Sequence, residues 1–437
     1  MEAKQNLKYA IIGGGIAGLT LAIALHHRGL SIKIYEQAPQ FGEIGAGVSF
    51  TPNAVQAMRM CHPGVEAAFE KVCTRNMWPS KQKVWFDYYD GQAKDVEAKA
   101  QKPAFSISNN LGQNGVHRAR FLDELVKLAP PELASFGKRL EKFEQAEDGE
   151  FTLFFSDGST AQADAILACD GIKSQVRRCL FGADHPCAFP SYTHKYAYRV
   201  LVPMEDAENA IGKEKAQNAG MHMGKGGHVL TFPVNHGKTL NVVAFHTTSS
   251  DWPDSSRLVA QATREDALRD FAGFGDTITS LLKLATPTLE TWAIFDLGKN
   301  PPPAFAQGRV CLVGDAAHAT SPHHGAGAGM CIEDAAVLAH LLSDPIVTGR
   351  GEVERALEVY DSVRRERGSW LVQSSSHIGN TYEWLAEGIE DDLVKIEAEI
   401  NLRNGLIANV NVAEMCQAAQ AELATRCRAG MSEQARI

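Results

Sequence analysis

Residues 7–36 hold an apolar run, three consecutive glycines, and a second apolar run that ends in a carboxylate, an order few folds accept. Leu7–Ile12 reads as a buried strand, Ile16–Arg28 as a helix and Ser31–Glu36 as a second strand. Apolar strands joined by a helix belong to parallel sheets covered on both faces. Gly13-Gly14-Gly15-Ile16-Ala17-Gly18 fits G-x-G-x-x-G at the strand-to-helix junction. Gly13 permits the tight turn, Gly15 lets backbone approach a pyrophosphate, and Gly18 lets helix and strand pack closely. The helix N-terminus offers free N–H groups and a partial positive charge to phosphates. Glu36 lies 18 residues beyond Gly18, where a carboxylate accepts from ribose hydroxyls and disfavours a 2′-phosphate. The motif predicts an adenine dinucleotide and leaves FAD and NAD open.

Two distant motifs separate those choices. Asp170-Gly171 ends the apolar run Ala163–Cys169, with Ser174 and Arg177 beyond it. Gly314-Asp315-Ala316-Ala317-His318 follows the run Val310–Val313 and precedes the glycine-rich stretch His324–Gly329. A carboxylate at a strand end can accept from ribityl hydroxyls, and glycines let backbone approach an isoalloxazine ring. The helix that follows aims its N-terminus at the N1–C2 edge, which becomes anionic on reduction. An Asp-Gly pair alone is an ordinary turn. The combination points to FAD.

Length and composition narrow the rest. At 437 residues the chain has room for about three domain-sized units, or two with additions. A hydrophobic share of 44% with 22% charge is ordinary globular composition, which excludes intrinsic disorder and a collagen-like repeat. The net charge of −9 argues against nucleic acid as a partner. The nine cysteines form no Cys-x-x-Cys pair, so reduced thiols are expected and a metal site is not. Ala10–Leu25 lacks charge but is short for a membrane span and is broken by glycines. A cytoplasmic protein is expected; the ending Ala435-Arg436-Ile437 fits the small-basic-aliphatic form of a peroxisomal address only loosely.

Further along, Asn53–Met60, Arg118–Leu128, Ile172–Leu180 and Gly327–Leu342 carry helical patterns. Between Tyr192 and Ile294 strand-like runs dominate: Tyr196–Val202, His228–Val234 and Leu240–Phe245, with a helical pattern at Glu265–Phe271. This predicts an α/β protein with a discontinuous dinucleotide domain (1–75, 105–185 and 300–370). A second, antiparallel-sheet domain (76–104 and 186–299) is inserted into it, and a helical segment (371–437) follows.

Taken together, Gly13–Gly18 with Glu36, Asp170-Gly171, and Gly314-Asp315 with Pro322-His323-His324-Gly325 resemble the three fingerprints of group A flavoprotein monooxygenases. The salicylate hydroxylase branch, and its fungal polyketide-hydroxylase members, are the most similar. Gly42-Glu43-Ile44-Gly45-Ala46-Gly47, Pro52-Asn53-Ala54, His117-Arg118, Tyr198-Arg199 and Tyr360 with Arg364 and Arg367 extend the match from about residue 7 to 370. The resemblance implies a p-hydroxybenzoate hydroxylase-type fold, an FAD domain plus a substrate domain without a separate nicotinamide domain. It also implies a small phenolic substrate, O2, NADH or NADPH as reductant, and oxygen transfer through a C4a adduct of the flavin. Gly13, Gly15 and Gly18 would meet the pyrophosphate and Glu36 the adenosine ribose. Arg118 would reach the phosphates or ribityl chain, Asp315 would serve the ribityl and pyrophosphate, and Asp170 would serve FAD and NAD(P)H together. Ala46, Gly47 and Gly325-Ala326-Gly327 would approach the ring. A monomer or homodimer is expected.

On the substrate side, Arg199 sits in the apolar run Tyr196–Val202, where a charge needs a partner: a salt bridge, or a substrate phenolate or carboxylate. His323 or His324, after Pro322, can help deprotonate a phenol. His222, between Met221 and Met223, is a further pocket candidate with core packing as its plain alternative. In the dearomatising fungal hydroxylases an arginine and a strand tyrosine hold the phenolate; here Phe232 falls at the tyrosine position. The expectation is therefore ordinary ring hydroxylation of a salicylate-like acid, with a polyketide-derived phenol as the alternative. An oxidase or reductase on the same frame, or a flavin-free binding protein, are the rivals from other classes.

Overall fold

The computed structural model describes residues 7–42, 47–94 and 97–434, without side chains from 430 onward. Ala46 and the ending at 435–437, both singled out above, lie outside the described residues. A six-stranded sheet runs in the order Ala306–Gln307, Val310–Leu312, Ala165–Ala168, Lys8–Ile12, Ser31–Tyr35, Ala134–Ser135. All its pairings are parallel except the outermost, Ala306–Gln307 with Val310–Leu312. The central strands are buried almost throughout, as expected of a sheet covered on both faces. Nine of the eleven residues of the helix Ile16–His26 are buried, which makes it a core helix rather than an amphipathic cover.

An eight-stranded sheet forms the second layer system. Its order is Val259–Thr263, Thr288–Asp296, Ser191–Pro203, Thr239–Thr247, Gly227–Val234, Gly220–Gly224, Val84–Asp90, Phe105–Ser108. It is not wholly antiparallel: Gly220–Gly224 pairs in parallel with Val84–Asp90. Phe105–Ser108 is its edge strand, so the expected division at 104/105 cuts through this sheet. The expected division at 370/371 likewise falls inside one continuous helix, Arg350–Tyr382. Among the described residues no helix is long and apolar enough to cross a membrane.

Two buried arginines lock the motif-bearing loops. Arg177 donates to the carbonyls of Ile172 (2.6 Å), Ala316 (2.7 Å) and Cys187 (2.8 Å). It thereby ties the Asp170-Gly171 loop to the Gly314-Asp315 loop. Arg364, on the long helix, bonds Asp334 through Nε and Glu333 through Nη1, each at 2.7 Å. Arg367 adds two bonds of 2.8 Å to Glu333, and Asn53 donates to the same carboxylate. The second oxygen of Asp334 receives Gly314 N (2.9 Å) and meets His318 Nε2 at 2.6 Å. Burial alone would raise the Asp334 carboxyl; His318 and Arg364 outweigh it and hold it at about 2.

Removing one partner of such a cluster strands the others without water. Arg364→Met should therefore cost about 3–5 kcal/mol of stability, because it leaves Glu333 with Arg367 and Asp334 with His318 while the oxygens that Arg364 served stay buried without it. Chemical denaturation checks this, and an unchanged midpoint would show that the cluster is energetically idle.

Candidate active site

The inner cavity, about 350 Å³, lies between the eight-stranded sheet and the loop 320–327. Alternation along strands decides which side chains reach it. Register sets Leu230 opposite Val243 and Arg199 opposite Val243 on the other side, and it sets Phe245 beside His228 and Ala197. One sheet face thus carries Phe232, Leu230, Val243, Phe245 and Arg199, all of which line the cavity. Trp85, Phe86, Met221 and Tyr382 complete an apolar wall, and Thr320, Pro322, His323, His324, Gly325 and Gly327 form the opposite side.

Arg199 has no salt bridge among the described residues. Its guanidinium stacks 4.4 Å from the Trp292 ring centroid, and its Nε is buried without a hydrogen-bond partner. Burial and the nearby Arg118 lower its pKa to about 10, so it stays cationic at neutral pH. A half-buried guanidinium whose Nε is sealed from solvent without a partner suits an anion in the cavity. His324 Nε2 meets Ser374 Oγ at 2.9 Å, and burial pushes its pKa down to about 3. His323 has both ring nitrogens buried and unpartnered, and burial together with His228 keeps it neutral.

His222 departs from the sequence expectation. Its strand neighbour Met221 faces the cavity, so His222 faces away and stacks on Tyr89 at 4.7 Å. Ala326 is a second departure: it is buried and packs with Met330, Leu371 and Ile407, while Gly325 and Gly327 on either side line the cavity.

A second cavity of about 790 Å³ runs past Glu36, Arg139, Asp170 and Arg178. It shares Gly15, Cys169 and Gly171 with the inner one, so the two form one trough past the first turn of the helix Ile16–His26. The glycines there are required by close approach: a methyl on Gly13 (φ +99°) would lie 2.4 Å from the Cys169 carbonyl oxygen. One on Gly18 would lie 2.0 Å from the Gly13 carbonyl oxygen. Glu36 accepts from the amides of Gly14 (2.6 Å) and Ala38 (2.7 Å). Asp170 accepts from Ser174 Oγ (2.6 Å), Gln175 N (2.7 Å) and Val176 N (3.0 Å), which caps the helix Gln175–Phe181. Gly47, Arg118 and Asp315 line the inner end. A long trough with an acid at its outer end, free helix amides at its waist and glycines at its inner end fits FAD.

Sequence reasoning missed Lys195, His228, Glu383 and Tyr382, which stand together beside the cavity. Lys195 shares a strand face with Arg199, four residues away, which was the one available signal.

The placement of His222 generates a pH prediction. Burial and Lys215 hold its pKa at about 3, so the folded chain leaves it neutral while the unfolded chain protonates it below about 6.5. Stability should therefore fall with decreasing pH between those values, by about 1.4 kcal/mol per unit from this residue. Denaturation from pH 6 to 4 should show a shallower slope for His222→Phe, with flavin content unchanged. An identical slope would place the titration elsewhere.

A family model described as an FAD binding domain matches residues 6–375. The chain is 45% identical over 423 residues to the FAD-dependent monooxygenase pigN of Monascus ruber, covering 95% of this chain and 96% of that protein. It is 43% identical over 380 residues to the 6-methylsalicylate 1-monooxygenase atA of Aspergillus terreus, covering 86% of this chain and 83% of that one. A solved salicylate hydroxylase substrate complex superposes with a TM-score of 0.83 at 35% identity, covering 94% of this chain and 98% of that one. With the trough, the glycine contacts and these likenesses in agreement, the chain belongs to the FAD-binding flavoprotein monooxygenases of salicylate hydroxylase type.

Proposed function

We propose that this monooxygenase hydroxylates a small phenolic acid of the salicylate type. The observation that carries the reading is Arg199, a cation with no salt bridge among the described residues, on the wall of a largely apolar cavity next to the flavin-binding loops. A phenolate or carboxylate there gains an ion pair strengthened by the dry surroundings. Phe232, Leu230 and Phe245 supply flat apolar surface against which an aromatic ring is held and water excluded. The ring carbon ortho or para to a phenolate is electron-rich and accepts an electrophilic oxygen. FAD, when bound, supplies the transfer of electrons from NADH or NADPH to O2 and the delivery of one oxygen atom. Asp315 and Arg118 would hold its ribityl and phosphate end, and Gly325 and Gly327 let backbone approach the ring. His323 stands where a phenolic proton can be taken up.

Phe232 bears on the outcome of the reaction. Its ring fills the space above Gly47 and Gly115, where an added methyl would come within 2.6 Å of it. It offers apolar surface but no hydroxyl donor, so orientation rests on Arg199 and on a carboxylate of the substrate. This favours ring hydroxylation, with loss of the carboxylate where the acid is attacked at its own carbon, over dearomatisation.

The test is a panel of salicylates and resorcinol aldehydes offered to the holoenzyme. Stimulated NAD(P)H oxidation is scored together with product mass for one added oxygen, and Phe232→Tyr is run in parallel. Salicylates should be the better substrates of the wild type. A tightly coupled quinol from a resorcinol aldehyde, with salicylates ignored, would overturn the assignment.

Arg199→Gln should keep its flavin but lose coupled turnover, at a cost of about 2–5 kcal/mol in kcat/KM. Residual NAD(P)H oxidation should shift to peroxide. Coupled hydroxylation at wild-type efficiency would remove Arg199 from the substrate site.

A further inference from the structure

The sheet face that carries Arg199 also carries, at its other end, a buried acid–base chain. Glu383, the first residue past the helix Arg350–Tyr382, has no exposed surface. One of its carboxylate oxygens accepts from Lys195 Nζ and Thr247 Oγ1, and Lys195 also donates to Thr247 Oγ1 at 2.7 Å. The other oxygen meets His228 Nδ1 at 3.1 Å. The His228 ring stacks on Phe245 at 4.7 Å, and its Nε2 is buried without a partner. His323 follows, its ring centroid 5.1 Å from that of His228, and it lines the cavity. The His323 ring is seated on Gly379, where a methyl would lie 2.4 Å from its Cδ2.

Three ring nitrogens without partners in one dry patch would be expensive as mere packing. Their order is informative: carboxylate, imidazole, imidazole, cavity. Other groups face the pair from every side. Tyr382 lies 5.3 Å from His228, with the Tyr88 ring 6.1 Å beyond it, while His324 adjoins His323. His246 lies on the other face of the sheet, against Tyr196 and Phe271, and reaches the pair only through its charge. Lys195 and Glu383 cancel each other's charge, and moving a proton from a phenol beside Arg199 to His228 leaves the net charge of the buried region unchanged.

Resting on the phenol hydroxylation proposed above, we propose that His228, held by Glu383 and Lys195, is a positioning residue through which the phenol proton leaves His323. The phenol O–H bond breaks and its electron pair stays on the oxygen, facing Arg199. An N–H bond forms on His323, whose other ring nitrogen, turning toward the unpartnered His228 Nε2, gives up its proton there and leaves an imidazolium against Glu383. Nothing is oxidised or reduced, and the proton returns to the product phenolate before release.

The experiment mixes holoenzyme with 4-nitrophenol in a stopped-flow instrument and follows the appearance of bound phenolate colour across pH. Below the ionisation of the free probe, His228→Gln and Glu383→Gln should slow that appearance by about 10²-fold. Above it, where the probe arrives ionised, both should bind it as wild type does. A merely structural role would lower the melting temperature without this pH-dependent difference. Should Glu383→Gln fail to fold, because Lys195 is left alone, the double variant Lys195→Met/Glu383→Leu buries no lone charge and gives the same readout. Equal rates in wild type and variants at low pH would overturn the relay while leaving phenol hydroxylation intact. A wild-type holoenzyme that neither binds the probe nor hydroxylates any phenol would overturn both.

Discussion

A carboxylate pair buried inside a helix, Glu333 and Asp334, holds this structure in register. Neither has exposed surface, so neither can be satisfied by water, and every partner must come from another part of the chain. Asn53 comes from the helix Pro52–Cys61, Gly314 and His318 from the second FAD motif, and Arg364 and Arg367 from the long helix. Five groups from three distant segments must converge before the helix Gly327–Leu342 can be buried at all. Its first turn, Gly327 and Ala328, lines the inner cavity. The geometry of the flavin end is thus set by ion pairing a turn or two away. Such clusters contribute less net stability than apolar packing of equal volume. What this one supplies is a fixed position for the Gly314-Asp315 loop.

Arg177 performs the corresponding task for the first Asp-Gly motif with neutral acceptors. Its guanidinium is fully buried and spends its donors on backbone carbonyls from three loops. Burial lowers its pKa, while Asp170 pulls the other way. The motif residues usually credited with cofactor contact therefore divide their work. Asp170 has both oxygens engaged in capping a helix, whereas Asp315 opens into the inner cavity.

Local pattern made much of this legible. The glycine loop, the parallel-sheet strands and the helix Gly327–Leu342 follow from periodicity and from glycine at points of close approach, and the structure has them there. Long-range pairing was not legible. Nothing in Val84–Asp90 or Gly220–Gly224 states that they lie side by side in parallel, and that pairing brings Phe86 and Met221 to one cavity. The face of His222 was equally hidden, because an apolar run on a strand buried on both sides has no polar alternation to reveal direction. Glu383 is 188 residues from Lys195, and only the length and direction of the long helix bring them together.

The eight-stranded sheet resolves a conflict that the cavity would otherwise pose. An aromatic anion needs a dry, apolar wall, yet a dry wall raises the cost of every charge that handles it. Strand alternation separates the two demands along one face. Arg199 lies at one end, resting on Trp292, and Lys195 at the other, neutralised by Glu383, with Ala197 between them on the same strand. Phe245 and Leu230 fill the middle from the neighbouring strands. Among the described residues Arg199, the one of the two without a salt bridge, borders the cavity, and Lys195, paired with Glu383, lies behind His228. With the proposed phenolic acid bound, exchanging those two roles would place a carboxylate against its anion. Under the proposed relay, the polarity of the face, from open cation to closed ion pair, sets which end of the cavity takes negative charge and which end takes a proton.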